Sequence, residues 1–308
     1  MIGPAVRSGS FLRDDLPLVA ALVSVVSWGA GPLVVRGITA STPTLMLTRL
    51  ALSVPVMAAI ALATGGRVDR SVVRATARPA VFFFGSMALS FESIRHTSIA
   101  NQTLIGSLST IVVMAVAPRL LGERVVPLQA VLAAAGFAGT AAVVFGAGDG
   151  GGAHLLGDAL ALGGMVLWGA YVIAAKRART AGRNGWAFLA GNFGWSVVYG
   201  VPWAVLGGFD LGQLGAADWV LVVTMVVAQG VAAHGLHAWS LRHLDATVSS
   251  LLTLGCPVLS AIGAYAIYDE RLTAVQLAGA AVVLASLAGV AVVARRARPV
   301  PIVAPAVP

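Results

Sequence analysis

Apolar residues along this chain come in long continuous runs, with polar positions gathered in the gaps instead of alternating with them. Ten runs can be marked, near 16–35, 45–63, 79–94, 98–117, 125–146, 156–175, 186–207, 218–241, 246–268 and 273–294. A helix of about 20 apolar residues crosses a hydrocarbon layer of about 30 Å, which is the length of most of these runs. The third is short. Continuous runs predict helices and not a barrel, whose strands would alternate, and a helix satisfies its own backbone hydrogen bonds in lipid. The expected fold class is an all-α polytopic membrane protein with ten transmembrane helices.

The polar segments divide the chain further. Residues 1–15 read as a cytoplasmic arm, 16–146 as a first five-helix unit, 147–155 as a Gly-rich flexible linker, 156–294 as a second unit, and 295–308 as a basic, Pro-rich cytoplasmic tail. The stretch 64–78 reads as a basic inner loop. Asp14 and Asp15 interrupt the approach to the first run, and no small-residue cleavage site stands there, so that run is expected as a retained helix and not a removed leader.

The two units share landmarks. Ser27-Trp28-Gly29-Ala30 returns as Leu167-Trp168-Gly169-Ala170, Arg95-His96 as Arg242-His243, and Glu123-Arg124 with Gln129 as Glu270-Arg271 with Gln276. Two units with an odd number of spans insert in opposite orientations, so the repeat is expected to be inverted, the plan of many transporters with a site between the repeats.

Composition agrees with the membrane reading: 58% of residues are hydrophobic, 10% are charged and the mean hydropathy is +0.90. A soluble domain carries about 25% charged residues to cover its core. The net charge of +8 would suit nucleic acid, but its distribution suits a membrane. A cytoplasmic start puts sixteen of the twenty Lys and Arg residues on the inner side, three (Arg36, Arg95, Arg271) on the outer side, and Arg49 within the second run. That is the positive-inside pattern, which predicts a multi-pass protein of the cell (inner) membrane with both termini cytoplasmic. No aromatic-interleaved basic patch for nucleic acid is present. The lone Cys256 has no partner for an internal disulfide and reads as an inert thiol. The aspartates are scattered singly, without the carboxylate clusters or nucleophile–base sets that a membrane enzyme would need, and no sizeable soluble domain suggests a receptor or scaffold. No catalytic residue, metal or cofactor is expected.

Charged and polar residues inside the runs are the candidate solute contacts. Arg49 is costly in lipid and must face the interior, a wet cavity or the outer surface. Glu92 lies at a similar depth on the antiparallel third run, so the two are expected to pair or jointly line an outer vestibule; a proton site is its other role. His234 and His237 are three apart and share a helix face, with Gln229 about a turn and a half further out. They suit solute contact or proton relay, since no carboxylate or cysteine completes a metal shell. Asn101 and Gln102 open the fourth run, and their amides can orient a solute or bridge helices. Asn192 repeats the position of Arg49, and Trp239 that of Glu92. Pro257 is expected to kink the ninth run. Runs five and ten are so uniformly small and aliphatic that they read as lipid-facing scaffold or a homodimer contact.

The Trp-Gly-Ala run, the Gly157-Asp158 opening of the second unit, and the repeated Arg95–Gln129 and Arg242–Gln276 segments resemble the EamA-type members of the drug/metabolite transporter superfamily over roughly 16–294. The second copy departs from the usual Leu-Gly-Glu by reading Tyr268-Asp269-Glu270. The resemblance implies ten helices in two inverted repeats that move small solutes, often outward, by alternating access. It places the first, third, fourth, sixth, eighth and ninth spans around a central cavity. Trp28, Trp168, Tyr171 and Trp239 would then be available to stack on a ring or to shield a cation of a solute such as an amino acid or nucleoside.

Overall fold

The computed structural model describes residues 10–97, 102, 105–121, 126–145, 155–179, 183–268 and 273–296, and these contain helices and no strand. The first unit comprises α1 (Ser10–Gly29), α2 (Gly31–Arg36), α3 (Thr42–Ala63), α4 (Arg70–His96), α5 (Ser109–Leu121) and α6 (Pro127–Phe145). The second comprises α7 (Leu155–Arg179), α8 (Gly185–Leu206), α9 (Ala216–Thr224), a π-helix (Met225–His234), α10 (Gly235–Ser240), α11 (Ala246–Leu252), a 3-10 turn (Thr253–Gly255), α12 (Cys256–Tyr268) and α13 (Ala274–Arg296).

Among the described residues, six stretches are long and apolar enough to cross a membrane: Asp15–Val35, Thr42–Ala63, Leu155–Ala178, Ala216–Ser240, Ala246–Ile267 and Ala274–Val293. The other four of the ten apolar runs fall on a helix with an arginine-rich start (α4), one without charges but rich in glycine and aromatic residues (α8), a shorter one (α6), and one preceded by residues outside the described set (α5). Large apolar side chains cover the outer faces: Leu62, Val131, Val220 and Ile267 are each more than 60% exposed. Apolar surface on this scale calls for lipid around it.

Packing follows the duplication. α4 lies along α7 and α8, while α1 lies along the π-helix and α10, and α3 along α8 and the π-helix. α5 packs on α7 and α11, α12 on α1 and α6, and α6 on α13. Exchanging α1 with α7, α3 with α8, α4 with the α9–π–α10 rod, α5 with α11–α12, and α6 with α13 reproduces the main partnerships. The repeated glutamines have a local role in this plan. Gln129 Oε1 accepts from Val126 N, and Gln276 Oε1 from Thr273 N, each at 2.9 Å. Each amide reaches back over the first turn of its helix and satisfies a donor that the helix leaves free. Glu123, Arg124, Glu270 and Arg271, the motif's charges, lie outside the described residues.

One expectation is corrected: the third apolar run is short, but the helix that carries it, α4, has 27 residues and takes in most of the stretch read as a basic inner loop. Asp69 caps it by accepting from Val72 N at 2.9 Å, and this hydrogen bond holds the carboxyl below its ordinary range. Arginine and alanine are good helix formers, so residues 70–78 are helical although too polar to read as membrane span. Runs five and ten line no part of the cavity described below, as expected of scaffold helices, and they also pack on each other. α6 and α13 pack on each other so closely that a Cβ at Gly139 would lie 2.8 Å from Gly279 O, and one at Gly279 would lie 2.6 Å from Gly139 O. Only glycine lets two backbones approach this far. These helices are therefore partners within the chain, with aliphatic outer faces.

The ends of the helices are tied differently. At one end, Asp218 accepts from Thr39 N and Oγ1 at 3.1 and 2.8 Å, and Thr97 donates to Asp158 at 2.7 Å. At the other, Asn184 donates to Thr64 Oγ1 at 3.1 Å, Lys176 to Leu244 O at 2.7 Å, and Arg177 to Leu120 O at 2.9 Å. Both ends join the two units.

Candidate functional site

A cavity of about 240 Å³ lies among α1, α2, α3, α4, α7, the π-helix and α12, and reaches Gln102, Gly106 and Ser107 ahead of α5. Its wall runs from Trp28, Trp168 and His234 toward Pro32, Val35, Ile94 and Gln102, at the end tied by Asp218. Ser86, Ser90, Ser109, Thr253 and Ser260 give the wall hydroxyl groups, and Met87, Phe91 and Met165 make it partly apolar.

The local chain explains how these groups converge. In the π-helix the bonding repeat is i→i+5, so Gln229 and His234, five apart, stand one above the other and both face the cavity. α-Helical spacing would have put them on different faces. The ninth span is broken where expected: Pro257 offers no N–H to Thr253 O and its ring crowds that carbonyl, and the chain turns 3-10 over Thr253–Gly255. A matching break in the first unit falls at Leu108, whose N–H bonds Ile105 O at 3.0 Å. Both breaks lie against the cavity, at Ser107 and at Thr253. On the opposite wall, a Cβ at Gly164 would meet Ser90 Oγ at 2.6 Å, so a glycine there lets α7 approach α4.

The floor is aromatic. Trp28 and Trp168 meet edge to face at 5.5 Å and 87°. The buried His234 ring lies 5.2 Å from Trp28, 5.1 Å from Phe83, 5.7 Å from Phe193 and 6.1 Å from Trp168. Phe83 stacks on Phe193 at 5.1 Å and tilts against Tyr171 at 5.0 Å. Such a cluster packs the inner side of the cavity through several ring contacts.

Arg49 is 3% exposed and lines the cavity, with its guanidinium carbon 5.6 Å from the Phe91 ring centre. Its Nε has no hydrogen-bond partner. The expected pairing with Glu92 is not formed. Glu92 binds His96 Nε2 at 3.3 Å one helical turn on, near solvent and off the cavity wall. Equal depth did not decide the matter, because the adjacent Phe91 faces Arg49 and Glu92 points elsewhere.

Of the other expected contacts, Trp28, Gln102, Trp168, Gln229 and His234 line the cavity. Tyr171 is 5.2 Å from Trp168 within the floor, and His237 packs 4.7 Å from Trp28 with Nδ1 3.3 Å from Ser249 Oγ; neither reaches the cavity wall. Trp239 packs on His243 at 4.6 Å, also away from the cavity. Asn101 lies outside the described residues. The serines, Thr253 and Phe91 escaped sequence reading; the glycines, serines and Pro257 around the helix breaks were the available signal.

A polytopic membrane protein with a solute-sized, partly polar cavity between two copies of one unit belongs to the class of membrane transporters. The family is settled by sequence: the profile of the EamA-like transporter family matches residues 16–145 and 155–292, and the chain belongs to that family. No curated protein is similar to it at a significant level. A crystal structure of another protein superposes with a TM-score of 0.76 at 22% identity, covering 91% of this chain and 98% of its own. That likeness concerns the fold.

Proposed function

We propose that this protein moves a small polar or aromatic metabolite, such as an amino acid, a nucleoside or a related solute, by alternating access through the cavity, and that net transport is outward. The observation that carries the reading is a mixed polar and aromatic cavity reaching toward one end of the helices and floored at mid-depth by aromatic rings. Ten spans in two inverted five-helix repeats are the architecture that fits the exchange of packing partners between the units. The excess of Lys and Arg on one side orients both termini to the cytoplasm of the inner membrane, and the cavity then faces outward.

In this cycle the solute enters between α2, α4 and α12, rests on the Trp28–Trp168 floor, and meets Arg49, Gln229 and His234. Rocking of the units about the helix breaks at Leu108 and Thr253–Gly255 separates the floor rings. The ties of Lys176 and Arg177 at the opposite end must be released in the same step. Export follows from the resemblance; proton coupling through Glu92 or His234 is the accompanying reading. Counterflow in proteoliposomes, with labelled amino acids, nucleosides and related solutes, tests the proposal with and without a pH gradient. Saturable exchange is expected, and a proton-coupled cycle would respond to the gradient. Folded protein that exchanges none of a broad panel would overturn it.

A further inference from the structure

Other arginines bond within the protein, two of them (Arg95 and Arg177) from exposed positions and one (Arg183) half-buried, with its own Nε also unpartnered. Arg95 donates to Ala40 O at 2.7 Å and to Thr42 Oγ1, Arg177 donates to Leu120 O, and Arg183 donates to Ala178 O at 2.9 Å. Arg49 stands apart. It is buried within a membrane-spanning stretch, its Nε is unpartnered, and among the described residues no carboxylate pairs with it. A buried guanidinium with an unpartnered Nε and, among the described residues, no counter-charge is costly, and the Phe91 face is only a partial substitute.

The remainder of the cavity is of one electrostatic kind. Among its described lining residues none is Asp or Glu. Glu92, the acid nearest in sequence to the lining, binds His96. His234, the other basic group on the wall, is either neutral or positive. The Cys256 thiol is 3.6 Å from Val25 O, as donor to it. Hydroxyl and amide groups of Ser86, Ser90, Gln102 and Gln229 provide further hydrogen bonds, while Trp28 and Trp168 provide a flat apolar wall.

Resting on the transport reading above, we infer that the solute carries an anionic group, a carboxylate, that seats on Arg49 while its apolar or aromatic body lies against Trp28 and Trp168. A planar guanidinium matches a carboxylate with two parallel hydrogen bonds. The solute supplies the negative charge that the protein omits. A cationic amine without a carboxylate is disfavoured by the same field.

The test uses three probes of similar shape and different charge: phenylacetate, phenylacetamide and phenethylamine. Purified full-length protein in lipid nanodiscs is titrated with each, and proteoliposomes are assayed for counterflow of each. The acid is expected to bind at least about tenfold more tightly than the amide, with no binding of the amine. Arg49→Gln should abolish that preference and Arg49→Lys should keep part of it, both judged on protein whose thermal unfolding matches the parent. If Arg49→Gln does not fold, the preference of the unaltered protein among the probes decides. Equal or tighter binding of the amide or amine, no binding of any probe, or retention of the acid preference in Arg49→Gln overturns the inference. Counterflow of the amine or amide without the acid does so while leaving the transport reading intact. Failure of every solute in the broad panel removes both.

Discussion

The aromatic floor is the part of the account with the most measurable energy. Phe83 and Phe193 are both fully buried, and their rings stack at 5.1 Å with 25° between planes, joining α4 to α8. Phe83 also meets Tyr171 at 5.0 Å and His234 at 5.1 Å. Truncating such a ring to Ala should cost about 3–5 kcal/mol, because burial is lost and a void remains. Phe83→Leu retains much of the apolar volume and removes the ring contacts. At about 0.5–1.5 kcal/mol for each aromatic pair, and with Leu recovering part of the contact, a loss of about 1–3 kcal/mol is expected. The cycle of Phe83→Leu, Phe193→Leu and the double variant isolates the stack. Its coupling energy should be about 0.5–1.5 kcal/mol, measured by reversible unfolding in mixed micelles as the denaturing detergent fraction is raised. Additivity within about 0.3 kcal/mol would refute the claim that this stack holds the floor together.

Other consequences follow from single positions. Gly164→Ala would push a methyl group to 2.6 Å from Ser90 Oγ and 3.2 Å from Ser86 O, so it should destabilise by about 1–3 kcal/mol and weaken solute binding, seen as lower thermal midpoint and affinity. Asn192 is completely buried, with neither side-chain polar atom hydrogen-bonded. Asn192→Leu should therefore raise stability in detergent by about 1–3 kcal/mol, and unchanged or lower stability would contradict the assignment. Its flux should fall if this amide, the counterpart of Arg49, meets solute in the opposite-facing state. Asp69 has its folded pKa lowered by the Val72 N–H, so its capping contribution is present above the unfolded carboxyl pKa and lost as pH falls through the folded value. Amide exchange at residues 71–73, corrected for the intrinsic pH effect, should accelerate on acidification in the parent and stay flat in Asp69→Asn. Pro257→Ala should let the helix run through Thr253 and slow transport more than it lowers stability, as read from counterflow beside thermal unfolding.

Much of this was legible in the amino-acid order, and the exceptions have physical reasons. Helical class and duplication follow from run length and repeated landmarks, and the kink from Pro257. Trp28, Arg49, Gln102, Trp168, Gln229 and His234 could be named as candidates because polar or large aromatic groups inside apolar spans stand out. α4 was read too short because hydropathy measures lipid preference, whereas Arg70, Arg74 and Arg78 keep helical backbone outside it. Trp239 was placed by analogy with Glu92, and neither reaches the cavity, so repeat position alone does not assign a shared site. The pairing of Gln229 with His234 depends on a π-helix, which ordinary helical periodicity cannot anticipate. Small hydroxyl residues are too common in membrane helices for Ser86, Ser90 or Ser260 to be singled out.

The most direct test of the central claim asks whether solute passes through this cavity. In a Cys256→Ala background, Ser90→Cys places a thiol on the wall, and counterflow is measured before and after a membrane-impermeant thiol reagent is added from the outside of right-side-out vesicles. The account predicts that labelling abolishes saturable counterflow and that transported solute slows the labelling. Full counterflow after complete labelling would contradict it.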